Sequence, residues 1–282
     1  MANSENRISM QKPTDIPYTY VIGTGWWCSP RPITWKPIQG DDCIRSREFH
    51  RLWYYAIDKY TCPEKICIVD SASPIRPEMA DDPRLEWMSL NHNFHTYHSP
   101  YHEAFDHSGW VKSALLSAYY ALMCEADYFI YVEQDCLVRG DGWVDAVVNQ
   151  LDEHVAAGHP GWMFGDGRNG CPGNHDIQQS LFVIKQSHLW PFIQRLTPRP
   201  KGPSLMAEER FSTQLENYAL LPFGYGRSRR DFSLQALHIY AQHWTQDELR
   251  AWCCVEAADN EKKGRSDLNK ALRRATSGWI SF

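Results

Sequence analysis

Apolar positions fall into two rhythms along this chain. Val111, Leu115, Ala118 and Leu122 recur at three- and four-residue steps, the stripe of a helix packed on a sheet. Residues 128–132 then form an unbroken apolar, aromatic and β-branched run of strand length, which suits a strand covered on both faces, as in a parallel sheet. The same alternation occurs upstream. Residues 18–25 read as a first strand ending in a glycine-containing turn. Phe49, Leu52, Trp53, Ala56 and Ile57 mark a helix over 47–60, and residues 65–69 and 85–90 read as the second and third strands. Strand and helix in alternation up to residue 132 predict a βαβ series and a mostly parallel central sheet flanked by helices.

Downstream, Gly140-Asp141-Gly142 turns the chain into an amphipathic helix through Trp143, Val147, Val148 and Leu151. Short strands are expected over 161–165 and 178–185, joined by a glycine-rich loop at 166–176, the kind of loop that carries function over a sheet edge. A helix starts near Ser187, a second covers 205–218, and a late strand is expected over 237–244. With no internal repeat and no low-complexity linker, the pattern predicts one domain over residues 1–259 and a basic extension over 260–282.

Candidate chemistry gathers at predicted strand ends. Glu133-Gln134-Asp135 follows the strand at 128–132 directly, and in open α/β sheets ligands sit outside the carboxyl ends of strands. Two acids there suit a cation, while a solvated pair at a strand end is the plain alternative. Gly23 and Gly25 allow a close backbone approach to a ligand or a sharp turn. Trp26, Trp27 and Cys28 follow them, so no dinucleotide fingerprint is present.

Helix, strand and acid-x-acid triplet together resemble the GT-A class of nucleotide-sugar-dependent glycosyltransferases. The resemblance implies a GT-A-like, Rossmann-like single α/β domain and a metal-assisted transfer of sugar from a nucleotide-diphosphate donor to a glycan or glycolipid hydroxyl. It implies Mn²⁺ or Mg²⁺ held by Asp135 with Glu133 assisting, and a late histidine, His243 first and His238 second, as a further ligand. Glu209, with Glu208 the alternative, takes the base position of inverting members, where a carboxylate must take the acceptor hydroxyl's proton. Two acids in a helix's first turn also answer its macrodipole. Asp70 matches the acid that pairs with the nucleotide base, although a turn-forming aspartate caps its own backbone equally well. Thr24 and Lys112 join the donor site, Lys112 as a phosphate partner. Gln178 and Gln179 are candidates for sugar contact. Arg227, Arg229 and Arg230 lie in a glycine-containing loop whose guanidinium forks match phosphate oxygens.

Charge narrows the partners. The net charge is −5, yet the last 23 residues carry +4 and leave −9 on the rest. An acidic body argues against nucleic acid as a partner. The basic tail, with Leu268, Leu272, Trp279 and Ile280, can rest on an anionic membrane surface or pack on its own domain, and its few apolar positions favour packing. Nine scattered cysteines with no Cys-x-x-Cys fit a reducing compartment. Neither an apolar run of membrane-spanning length nor the apolar centre of a secretory signal occurs, so a cytoplasmic protein, at most peripheral to a membrane, is expected.

Two other functions compete. His92, His95, His98, His102 and His107 could serve a metal-dependent hydrolase, although the spacing is not that of a zinc protease and Ser99-Pro100 interrupts any helix. Twelve tryptophans could stack sugars in a non-catalytic carbohydrate-binding protein.

Overall fold

The computed structural model describes residues 17–29, 40–77, 79, 81–93, 108–167, 177–196, 207–223, 234 and 236–277. Nine strands and seven α-helices occur among them: β1 (Tyr20–Trp26), α1 (Arg47–Tyr60), β2 (Lys65–Asp70), β3 (Leu85–Ser89), α2 (Ser108–Met123), β4 (Tyr128–Val132), β5 (Leu137–Arg139), α3 (Trp143–Ala156), β6 (Trp162–Asp166), β7 (Ile177–Lys185), α4 (Gln186–Leu196), α5 (Ala207–Gln214), β8 (Ala219–Leu220), β9 (Ile239–Ala241), α6 (Gln246–Lys262) and α7 (Ser266–Thr276). Seven strands make one sheet in the order β3-β2-β1-β4-β7-β6-β8. Only β7 runs against the others, pairing antiparallel with both β4 and β6. The expected mostly parallel α/β architecture is the one observed.

The sheet is covered on both faces, which is why its strands are continuously apolar. Tyr20, Ile22, Ile66, Ile68, Ile130 and Val132 face a core shared with α1, α3, α6 and α7. Val21, Cys67, Val69, Phe129 and Tyr131 face α2, α4 and α5. On that second face Gly23 and Gly25 have a different role from the one expected. A Cβ at Gly23 would sit 2.4 Å from Ser117 Oγ, and one at Gly25 would sit 2.3 Å from Ser113 Oγ. These glycines admit α2, not a ligand. The contact places the first turns of α2 at the carboxyl end of β1, where Ser113 Oγ also lies 2.8 Å from Tyr131 OH.

The predicted bounds of α1 and β4 are those observed, and α1 starts where Ser46 accepts a hydrogen bond from the Phe49 amide. The helix expected to reach residue 218 ends at Gln214, and Asn217 takes a left-handed backbone (φ +53°) ahead of the short β8. The late strand shrinks to three residues, which pair with β5 in a separate two-stranded sheet.

Over residues 245–277 the helix boundary departs from expectation, while the packing of the basic tail on its own domain is as favoured. A capping box between Thr245 and Glu248 starts α6, which runs unbroken through position 260, so the expected boundary falls inside a helix. Asn260, Leu268, Leu272 and Ala275 are buried, and α7 packs against α1. The basic side chains partly find acids of the same domain: Lys263 Nζ lies 2.9 Å from Asp141 and 3.1 Å from Asp259. Burial thus extends through the segment read as an extension.

A buried charged cluster fastens α6 to the core. Glu256 is fully buried and accepts hydrogen bonds from Lys59 Nζ (2.6 Å), Tyr60 OH (2.7 Å) and Arg139 Nε (2.7 Å). Burial, then the Glu256 charge, pushes the Tyr60 hydroxyl's pKa up and keeps it a donor. No helix among the described residues is long and apolar enough to cross a membrane.

Candidate functional site

Strand order creates the site before any side chain is considered. β1 lies parallel between β2 and β4, so the chain leaves β1 for β2 on one side and returns to β4 on the other. Such a reversal opens a crevice outside the carboxyl ends of the strands. Trp27 follows β1 there, Glu133, Gln134 and Asp135 follow β4, and the Trp27 amide donates to Gln134 Oε1 (2.6 Å) across the reversal. Gln134, the middle residue of the triplet, therefore ties the two strand ends together.

The triplet is a turn, with the Cys136 amide donating to the Glu133 carbonyl (2.9 Å), after which β5 pairs with β9. That pairing matches Leu137 with Ala241; continued outward, it brings Gln242 opposite Cys136 and His243 opposite Asp135. Asp135, only 6% exposed, accepts from Gln242 Nε2 at 3.2 Å and has His243 Nε2 at 3.7 Å from its other oxygen. The same Gln242 nitrogen lies 3.2 Å from Glu133 Oε2, so the two carboxylates converge on one hydrogen-bond donor.

Gln242 is held in turn. Its Oε1 accepts from Gln178 Nε2 (2.5 Å), and Gln178 Oε1 accepts from the amide (2.7 Å) and hydroxyl of Ser180. Sequence reasoning missed Gln242, since a glutamine one residue past a short strand has no signature. Only the β5–β9 register shows its role.

His243 has φ +58°, a left-handed backbone that costs a non-glycine residue about 1 kcal/mol or more. Neighbours hold it there. Gly40 packs so closely that a Cβ would lie 2.6 Å from the His243 carbonyl carbon, and the Asp41 amide donates to the Trp244 carbonyl (3.0 Å). His238 is placed elsewhere: its Nε2 pairs with the Asp141 carbonyl at 2.9 Å, and its ring packs on Phe223. Of the two late histidines only His243 reaches the acids, because β9 lies between them.

The remaining candidates divide. Asp70 ends β2 at the same sheet edge, where its carboxylate accepts from the Ser73 amide (3.3 Å) and hydroxyl, while Ser73 Oγ accepts from the Cys28 amide (2.8 Å). The turn-capping role of Asp70 is thus present. Thr24 is fully buried within β1, its hydroxyl without a partner among the described residues, so it is not open to direct contact with a ligand. Lys112 lies in the opening turns of α2 at the carboxyl edge, and burial lowers its pKa. Glu208 and Glu209 fall in the first turn of α5, although their side chains lie outside the described residues. The helix is anchored by Phe211, which packs on Trp110 at 4.9 Å. Arg227, Arg229 and Arg230 lie outside the described residues, as do His95, His98, His102 and His107. Gln179 is buried in β7.

Nucleophilic thiol chemistry finds no support here. Burial pushes Cys28 up to about 12 and Cys136 well above the ordinary range, so both stay protonated. Trp26, Trp53, Trp143, Trp162, Trp244 and Trp252 are buried, which removes six of the twelve tryptophans from any sugar-stacking surface.

For a cation, the donor set is two carboxylates with an imidazole beside them. Oxygen ligands suit Mg²⁺ and Mn²⁺. Among the described residues no three His, Cys, Asp or Glu side chains form a group able to hold an ion by themselves. Sharing one amide nitrogen nevertheless shows that the carboxylates of Glu133 and Asp135 are close neighbours. They fit as the protein's share of a shell that substrate oxygens and water complete, not as a closed cage.

No family model matches the sequence. No curated protein matches it either. Among solved structures, it is similar to the glycosyltransferase GlyE of Streptococcus pneumoniae TIGR4, with a TM-score of 0.39 and 10% identity over 73% of this chain and 45% of that one. The chain thus spans less than half of GlyE's length. It is also similar to an active-site mutant of LgtC (TM-score 0.36, 7% identity, 72% of each chain). A structure of the galactosyltransferase LgtC in complex with donor and acceptor sugar analogs gives a TM-score of 0.35 at 7% identity, over 72% of this chain and 73% of that one. Likeness at this level carries no assignment of activity, which must come from the site.

Proposed function

We propose that this chain is a glycosyltransferase that takes a nucleotide-diphosphate sugar donor and a hydroxyl acceptor, a glycan or the headgroup of a glycolipid. One observation carries the reading: an acidic pair, converging on one point, stands at the carboxyl edge of a mostly parallel sheet beside the place where strand order reverses. That edge is where α/β sheets bind nucleotides. Anionic oxygens facing an anionic diphosphate need a cation between them, and Mn²⁺ or Mg²⁺ held by Asp135 and Glu133, with His243 beside them, meets that need. When bound, the ion would neutralise charge building on the leaving diphosphate.

In this reading the protein's own residues orient and position. Gln134 ties the ends of β1 and β4, so the crevice floor is fixed before donor arrives. Gln242 and His243 set the acidic pair. Glu209, or Glu208, is the proposed base if configuration inverts; a retaining route does not require it. Arg227, Arg229 and Arg230 are proposed diphosphate partners, and Lys112 is a further cation at the same edge. A hydrolase or a carbohydrate-binding protein gains no support from the described residues.

Thermal unfolding in the presence of UDP or GDP, with and without Mn²⁺, tests the proposal. One nucleoside diphosphate should protect the chain only when Mn²⁺ is present, by about 2.7 kcal/mol at a hundredfold excess over Kd. Asp135→Ala should abolish that protection. Equal protection without metal, or protection retained in Asp135→Ala, overturns the reading.

A further inference from the structure

Gln242 takes part in a hydrogen-bond chain whose direction can be derived. The Ser180 backbone N–H can only donate, so the Gln178 atom facing it at 2.7 Å must be the amide oxygen. The Gln178 NH₂ then points the other way, at Gln242, which must answer with its oxygen at 2.5 Å. That leaves the Gln242 NH₂ to face Glu133 and Asp135, both at 3.2 Å. One main-chain donor in β7 therefore sets two side-chain amides in series. The opposite orientation of either amide would bring two donors, or an oxygen and a carboxylate, face to face. Burial makes the order strict, because Ser180, Gln178 and Gln242 are 0%, 1% and 5% exposed and have little water to offer instead.

We propose that Gln242 is a positioning residue that gathers the carboxylates of Glu133 and Asp135 for a divalent cation, aimed from the core by Gln178 and Ser180. A carboxylate has about four lone-pair sites, so an accepted amide hydrogen orients each acid without exhausting it. A neutral donor also spaces two like charges without cancelling them, which a lysine in the same place would do. The two residues on either side of the acids thus differ in kind: His243 brings an imidazole beside Asp135, and Gln242 holds both acids from the core side. This inference rests on the proposed cation-dependent reading of the site.

The test is a titration of Mn²⁺ into the full chain with UDP and, separately, GDP present, following the electron paramagnetic resonance signal of the free ion. Native chain, Gln242→Met, Gln178→Met and the double variant are compared, with circular dichroism reporting the fold of each. Each single change should weaken Mn²⁺ binding by about 10- to 100-fold, the loss typical of groups that orient metal ligands. The double variant should be no weaker than Gln242→Met alone, since Gln178 acts only through Gln242. Unchanged affinity in Gln242→Met, or losses that add in the double variant as general loosening would produce, overturns the relay and leaves the function standing. No uptake by the native chain with either nucleotide sinks the function and the relay with it. If Gln242→Met does not fold, Gln178→Met decides: native affinity there overturns the relay.

Discussion

Glu256 and Asp135 are both buried carboxylates, yet their surroundings are opposite. Glu256 sits between a lysine, an arginine and tyrosine hydroxyls, so its charge is matched where it stands. Asp135 has a neutral amide and an imidazole, and no lysine or arginine pairs with it among the described residues. Desolvating a charge is costly unless a partner repays it. The first cluster is therefore complete as built and serves the fold. The second lacks a lysine or arginine among the described residues, as the proposed cation site requires.

The sharpest way to break this contrast is to truncate Glu256. Glu256→Ala strands Lys59 and Arg139 without their shared acid and should cost about 3–5 kcal/mol in urea unfolding. A loss below about 1 kcal/mol would show that the cluster is not what holds α6 to α1.

Next in size is a pH effect from a third buried ionisable group. His50 is wholly buried against Trp26, bonds the Ser46 carbonyl, and burial pushes its pKa down from 6.5 to about 4. It solves the desolvation problem by remaining neutral. The unfolded chain binds the proton more readily, so stability is full above about pH 6.5 and drains as pH falls towards 4. The slope is at most about 1.4 kcal/mol per pH unit, or roughly 3 kcal/mol in all. Unfolding midpoints at pH 7 and pH 5 should diverge for the native chain and draw closer in His50→Leu.

The smallest effect is the most telling. Asp135→Asn should leave the stability of the metal-free chain within about 1 kcal/mol of native, or raise it, because an acid that no lysine or arginine pairs among the described residues is replaced by a neutral group that still accepts a hydrogen bond. A large destabilisation there would place Asp135 with Glu256 among the structural charges and erase the distinction.

Long periodic stretches were the legible part of the sequence. α1 and β4 lie where apolar spacing places them, since each is packed along its whole length and local pattern and tertiary burial agree. The Glu133-Gln134-Asp135 turn was legible for the same reason, because β4 ends where its apolar run ends. α6 was missed although Thr245 and Glu248 form a readable capping box, because its apolar stripe of Leu249, Trp252 and Cys253 gives way to buried Glu256 and Asn260. β5 and β9 are too short to show a period, and their pairing across a hundred residues is what brings Gln242 and His243 to the acids. Gly23 and Gly25 were visible but misread, since a gap left for a ligand and a gap filled by a helix look identical in one dimension.

The salt link between Lys59 and Glu256 also sets a clock. The partners lie 197 residues apart, so at roughly 5–20 residues per second a ribosome spends on the order of 10–40 s between making one and the other. Throughout that interval the lysine on α1, and the greasy flank meant for α7, emerge with no mate yet synthesised. Nascent chains should accordingly stay open to holding chaperones until α6 and α7 have emerged, and then close late and all at once.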